Sequence, residues 1–219
     1  MIKKAVVTGG LGFIGSHLTE ALLSREVETT IIDNISTGRR ENIRSFATHP
    51  LLTVIQADVA SDDLTKGFAK ADVVFHLAGL ADIVPSIQRP LDYCQTNITG
   101  TLRVLEAARQ GGVPRIVYAA SSSCYGLPDI FPTPETAPIR PQYPYALSKW
   151  MGEEAVHHWG RVYGLKTTSL RLFNVYGPRS RTTGAYGAVF GVFLAQKLAG
   201  KPLTIVGDGT QRRDFIYVT

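Results

Sequence analysis

The chain has 219 residues, of which 44% are hydrophobic and 19% charged. That composition excludes a disordered chain and suffices for a buried core without disulfides. The 23 Lys+Arg against 18 Asp+Glu leave a net +5, which favours anionic partners, but no basic run exceeds two residues, as at Arg39-Arg40 and Arg212-Arg213, so no nucleic-acid groove is expected. No apolar stretch approaches the roughly 20 residues that cross a bilayer, and the short apolar run after Met1-Ile2-Lys3-Lys4 is too brief for a signal-peptide core. Cys94 and Cys124 make neither a disulfide framework nor a metal set, so a reducing cytoplasm is the expected compartment.

Along the chain, strand-like and helix-like segments alternate. Ala5-Val6-Val7 predicts a strand that stops at glycines, and Ile14, Leu18 and Leu22 recur at helical spacing from Phe13 to Arg25. Thr29 to Ile32, Leu52 to Ile55 and Val73 to Phe75 predict further strands. Leu102, Leu105 and Ala108 mark a helix ended by Gly111-Gly112, and a strand follows over Arg115 to Ala119. The proline-rich stretch from Leu127 to Pro144 reads as a long ordered loop. A helix from Tyr145 to Tyr163 and a strand from Thr167 to Phe173 come next. Such alternation implies βαβ units, and the non-alternating apolar strands imply burial on both faces. The expected class is α/β, a Rossmann-like doubly wound parallel sheet.

Thr8-Gly9-Gly10-Leu11-Gly12-Phe13-Ile14-Gly15 lies where the first strand meets the first helix. Glycines there allow a tight turn and close approach of a pyrophosphate, and the helix N-terminus favours its charge. Gly9, Gly12, Phe13, Ile14 and Gly15 are therefore candidate dinucleotide contacts. Asp33 ends the second strand at the spacing of a ribose-binding carboxylate, with Asn34 and Gly38 just beyond it. A carboxylate there repels a 2′-phosphate, so NAD is expected over NADP, although Arg39 and Arg40 lie close by. Asp58-Val59 after the third strand and Leu77-Ala78-Gly79 after the fourth would face the same cofactor, since ligands bind at the carboxyl ends of such strands.

Tyr145 and Lys149 stand four residues apart and share one helix face. A neighbouring ammonium favours a phenolate, which makes Tyr145 a candidate general base. Ser121-Ser122-Ser123 follows the fifth strand, so its hydroxyls reach the same sheet edge. The G-x-S-x-G pattern of a nucleophile elbow is absent.

These residues, with His76-Leu77-Ala78-Gly79, Asn97-Ile98-Thr99-Gly100-Thr101, Leu170 to Arg179 and Arg213 to Val218, make the chain resemble the extended short-chain dehydrogenases/reductases over essentially its whole length. Within that family it is most similar to UDP-sugar 4-epimerases. The resemblance implies Ser121, Tyr145 and Lys149 as catalytic, with Lys149 also on the nicotinamide ribose. It implies Ser122 and Ser123 beside the sugar, Asn174 and Arg213 near the substrate diphosphate, and Thr204 and Val206 near the uracil. Family dehydratases carry acidic residues where this chain has Ser122 and Ser123, so elimination loses its acid and base while epimerisation does not. The implied reaction interconverts C4 epimers of a UDP-hexose through a 4-keto intermediate.

The alternatives are another nucleotide-sugar enzyme of the family (a dehydrogenase, 2-epimerase or dehydratase) and an NAD-binding regulatory protein without activity. The resemblance also implies a homodimer through the helices around Leu102 to Ala108 and Tyr145 to Tyr163. Residues 1–170 are expected to form the NAD-binding domain with the catalytic residues. Residues 171–219 are expected to begin an incomplete substrate-binding domain, as in a C-terminally truncated protein.

Overall fold

The computed structural model describes residues 1–180, 189–205 and 207–219. Six strands form one sheet: β1 (Lys4–Thr8), β2 (Glu28–Asp33), β3 (Leu52–Gln56), β4 (Val73–His76), β5 (Arg115–Ser121) and β6 (Lys166–Leu172). Their order is β3-β2-β1-β4-β5-β6, with every pairing parallel. The order reverses between β1 and β4, which opens a crevice at their carboxyl ends. The expected doubly wound sheet is thus the one that forms. A second, two-stranded parallel sheet joins β7 (Asn174–Tyr176) to β8 (Phe215–Tyr217).

Burial on both faces explains the apolar strands. Val6 of β1, Val74 of β4 and Ile116 of β5 point to one side, against Phe68, Val104, Leu105 and Val156. Ala5, Val7 and Val73 point to the other, against Leu22 and Val27. The period of two along each strand sends alternate residues to opposite layers. The helices covering these faces include α1 (Phe13–Leu23), the short α2 (Thr65–Phe68), α3 (Ile83–Gln88), α4 (Pro90–Cys94), α5 (Gly100–Gln110) and α6 (Pro144–Tyr163), while α7 (Val189–Leu198) follows β7.

Two helix boundaries follow from single residues. Pro144 opens α6, where a missing N–H costs nothing, and Gly164 closes it at φ +74°, a left-handed conformation that glycine adopts without Cβ strain.

Two details differ from the sequence reading. The helix around Leu102 begins earlier than the periodicity indicates: α4 runs directly into a π-helical segment, Gln95–Thr99, and that into α5. Strand β5 also continues to Ser121, so this serine is the last strand residue rather than the first of a loop. The strand ladder, pairing Ser121 with Leu172, extends it.

The proline-rich loop is ordered by contacts at several points. The Arg140 N–H donates to the Cys124 carbonyl at 2.9 Å, and Arg140 pairs with Asp129 at 2.9 Å.

Candidate active site

A cleft of about 460 Å³ opens at the β1/β4 switch point. Gly9, Gly12, Phe13, Ile14, Gly15, Asp33, Asn34, Asp58, Val59, Leu77, Ala78 and Gly79 all line it. The turn between β1 and α1 needs its glycines. Gly9 sits at φ +71°, and a Cβ there would lie 2.7 Å from the Ala78 nitrogen; one on Gly15 would collide with the Gly9 carbonyl oxygen. Backbone rather than side chain therefore forms the cleft floor. The first turn of α1 has no side-chain cap, so its leading N–H groups remain available to an anion. This cradle fits a dinucleotide pyrophosphate.

Asp33 is buried, and its carboxylate accepts from the Leu11 N–H at 3.0 Å and the Ile35 N–H at 2.8 Å. Those bonds fix the carboxylate at the rim where a ribose would lie. Gly38 does not line the cleft; it packs behind Asp33, where a Cβ would come within 2.9 Å of both carboxylate oxygens. Asp58 lines the cleft, and it also accepts from the Ala60 N–H at 2.8 Å and the Asn34 amide at 2.9 Å.

The catalytic candidates stand beside this cleft, beyond Gly79 and Ala119. Tyr145 O–H donates to Ser121 Oγ at 3.2 Å, and Ser121 Oγ lies 2.7 Å from Ser123 Oγ. Ser122 opens the short 3₁₀ turn Ser122–Tyr125. Lys149 is buried, with its ammonium over the Tyr118 ring at 4.2 Å. A Cβ on Gly79 would lie 3.7 Å from Lys149 Nζ, which puts the lysine at the cleft wall.

Burial governs the ionisation of this pair. It brings the Lys149 ammonium down to about 7, opposed by the Glu153 carboxylate. It raises the Tyr145 phenol above its ordinary value, opposed by hydrogen bonds from Ser121 and Ser123. The expected depression of Tyr145 by Lys149 is not found in the protein alone: Lys149 is not among the groups that shift the phenol, and desolvation penalises the phenolate more than its hydrogen bonds support it.

A buried chain of polar groups backs the site. Thr101 Oγ1 donates to the Asn97 carbonyl at 2.6 Å, so it accepts from His76 Nε2 at 2.9 Å. His76 Nδ1 then accepts from Thr8 Oγ1 at 2.7 Å. Each hydroxyl has one proton, which assigns the Nε2–H tautomer. Burial holds this imidazole neutral, at about 3. Asn97, in the π-helical segment, accepts from the Leu80 N–H at 2.8 Å and donates to Ser148 Oγ at 2.9 Å, tying the β4 loop to α6. The Asn97 and His76 motifs carried the family likeness, but spacing alone assigned these two residues no task. The π-helix is the signal that marks Asn97, and only the backbone shows it.

Other expected substrate contacts are placed differently. Asn174 lines the cleft, while its amide donates to the Asp214 carbonyl at 2.8 Å. Arg213 is exposed and bonds the Arg212 carbonyl at 2.7 Å; Thr204 is exposed and accepts from Gln196 at 2.7 Å. Neither is among the residues that line the cleft. Both stand on the connection between α7 and β8, and the Arg213 charge acts on the Tyr143 phenol, two residues before Tyr145. Val206 lies outside the described residues.

Among the described residues, no group of His, Cys, Asp and Glu could hold a metal ion, and no helix is long and apolar enough to cross a membrane.

The NAD dependent epimerase/dehydratase family matches residues 5–219. A UDP-glucose 4-epimerase of Mycolicibacterium smegmatis is 37% identical over 218 residues, covering 98% of this chain and 69% of that protein. Among solved structures, a UDP-N-acetylglucosamine 4-epimerase from Methanobrevibacter ruminantium, in complex with UDP-N-acetylmuramic acid, is 41% identical with a TM-score of 0.95. The alignment covers 99% of this chain and 69% of that one. A Thermus thermophilus UDP-glucose 4-epimerase in complex with NAD is 36% identical with a TM-score of 0.88, covering 98% and 70%.

Proposed function

This chain belongs to the NAD-dependent epimerase/dehydratase family, and we propose that it is an NAD-dependent isomerase interconverting the C4 epimers of a UDP-hexose. The observation that carries this reading is the Tyr145 O–H placed 3.2 Å from Ser121 Oγ at the end of the dinucleotide cleft, with no carboxylate in the serine turn. NAD, when bound, supplies the hydride acceptor and donor for the sugar C4.

The chain's own residues handle the proton. Tyr145, as phenolate, takes the proton of the sugar 4-hydroxyl while Ser121 hydrogen-bonds the same oxygen. A 4-keto sugar results. Once it presents its other face, Tyr145 returns the proton to O4. Lys149, buried and one helical turn from Tyr145, would support the phenolate electrostatically and would hold the nicotinamide ribose. Asp33 would hold the adenosine ribose and disfavour a 2′-phosphate. Ser122 borders the sugar, and Asn174 is the cleft residue available to the diphosphate. No proton donor or base for eliminating water stands at Ser122 or Ser123, which separates this reading from a dehydratase.

A homodimer is part of the proposal. Of the helix expected in it, Leu105 and Ala108 are buried in this chain's own core, so the exposed apolar face lies elsewhere: Leu91 of α4 is 80% exposed, and Leu147 and Met151 lie exposed one turn apart on α6, which packs against α4. A second copy covering these residues would remove apolar surface from water. The free Cys94 and Cys124 fit a reducing cytoplasm.

The test is incubation with UDP-glucose, UDP-N-acetylglucosamine and UDP-glucuronate, following product stereochemistry and NADH. The expected result is a 4-epimer without net NADH. Accumulating NADH, or NAD binding with no product from any of the three, overturns the reading.

A further inference from the structure

Ser121 Oγ has three partners. The Tyr145 O–H donates to it at 3.2 Å and the Ser123 N–H donates at 3.2 Å, while Ser123 Oγ lies at 2.7 Å. A hydroxyl oxygen offers two lone pairs and one proton. Tyr145 and the Ser123 N–H take both lone pairs, so the Ser121 proton is left to point at Ser123 Oγ. While Tyr145 is neutral, Ser121 therefore donates away from it.

The phenolate only accepts. When Tyr145 ionises, Ser121 has to turn its proton toward the phenolate. That rotation frees the lone pair Tyr145 had occupied and withdraws the donor from Ser123. The Ser123 O–H can fill the vacant lone pair with no movement of heavy atoms, and the 2.7 Å contact persists with its roles reversed. Backbone geometry keeps the two hydroxyls in register, because Ser121 caps the 3₁₀ turn that carries Ser123.

We propose that Ser123 is a positioning residue whose hydroxyl holds Ser121 in whichever donor direction the protonation state of Tyr145 requires. This rests on the reading of Tyr145 as the base. It gives Ser123 a task other than the sugar contact implied by resemblance. No proton passes along the serine pair. Tyr145 gains the proton of the sugar 4-hydroxyl and gives it back, and the two serine hydroxyls only rotate. Without Ser123, the phenolate loses the hydrogen bond that Ser123 makes to Tyr145 itself, and the turned Ser121 loses its side-chain donor in a part-buried site, so the phenolate is less stable.

The other titratable or charged groups around Tyr145 are Lys149 on α6, Tyr93 of α4 with its ring at 6.3 Å, Tyr118 of β5, and Tyr143 and Asp82 on the flanking loops. A substitution at Ser123 replaces none of them.

The experiment is an absorbance titration of phenolate, taken as the difference between proteins with and without Tyr145→Phe, in the native background and in Ser123→Ala. The Tyr145 midpoint should rise by about one pH unit, and kcat should fall about tenfold at an unchanged UDP-sugar KM. Ser123→Thr restores both. An unmoved midpoint in Ser123→Ala overturns the proposal. So does a raised KM with native kcat, which would make Ser123 a sugar contact. If the native chain turns over no UDP-sugar, the epimerase reading fails, while the titration still decides the role of Ser123.

Discussion

Arg171 Nε lies 3.0 and 3.1 Å from the two carboxylate oxygens of Glu153. Glu153 stands one helical turn beyond Lys149, with its side chain only 4% exposed against 20% for Arg171. The same guanidinium donates to the Tyr125 hydroxyl at 2.8 Å and the Glu135 carbonyl at 3.2 Å, and lies over the Trp150 ring. One side chain on β6 thus joins α6, the serine turn and the proline-rich loop. Removing one member takes from the other its hydrogen-bonded charge partner in a largely buried site. Glu153→Gln or Arg171→Met should each lower unfolding free energy by about 3 kcal/mol, and the double variant should cost less than the sum. Urea unfolding midpoints measure this; strictly additive losses would show the pair to be uncoupled.

Tyr145→Phe should reduce turnover by about 10²–10⁴-fold, the contribution of a positioned acid–base group. NAD binding should persist, because the glycine cradle is backbone. Parallel measurements of UDP-sugar interconversion and of NAD binding decide it; turnover at the native rate would remove Tyr145 as the base.

The pH dependence follows from treating Tyr145 and Lys149 as one titrating pair, as the proposed mechanism requires. Burial lowers Lys149 to about 7 and raises Tyr145. Below pH 7 the pair carries both protons and no base. The active arrangement, phenolate with ammonium, carries one proton and so belongs to the state between the two macroscopic steps. The profile of kcat/KM should therefore rise through pH ~7 and fall only well above neutrality, when the second proton leaves. Lys149→Met should abolish the step near 7, and a rate profile retaining that step in the variant would assign it elsewhere.

Asp33 should decide the cofactor. Its carboxylate is held by two backbone N–H groups, so it cannot swing away from a 2′-phosphate. Asp33→Asn removes the repulsion and should narrow the preference for NAD over NADP on the order of tenfold. Dissociation constants for both dinucleotides test this, and an unchanged ratio would place discrimination in other residues.

Met151→Glu puts a charge on the exposed stripe of α4 and α6. It should convert a dimer to a monomer without unfolding the chain, as read by light scattering and circular dichroism. A native chain that is monomeric at micromolar concentration would dismiss this interface.

Much of the site is legible locally. The β1–α1 turn announces itself through glycines at fixed offsets, Asp33 through its distance from Gly15, and Tyr145 with Lys149 through helical spacing. The remainder joins residues remote in sequence. The Thr8–His76 bond spans 68 positions, and no periodicity links its ends. Glu153 and Arg171 sit on different elements, a helix and the strand behind it, so each alone reads as ordinary surface charge. Arg213 and Thr204 show the converse, since motif likeness pointed them toward substrate while neither is among the residues that line the dinucleotide cleft.

By itself, the amino-acid sequence determined which chemical groups exist and which near neighbours share a face: the glycine cradle, the serine triplet without a carboxylate, and the Tyr145/Lys149 pair. Tertiary structure alone decided their protonation. Tyr118 from β5, Asn97 from the π-helical segment and Glu153 from the next turn of α6 meet around Lys149 only after the sheet has formed. Burial there, opposed by the Glu153 carboxylate, sets where Lys149 titrates rather than the tyrosine–lysine spacing, because the cost of burying a charge depends on everything packed around it.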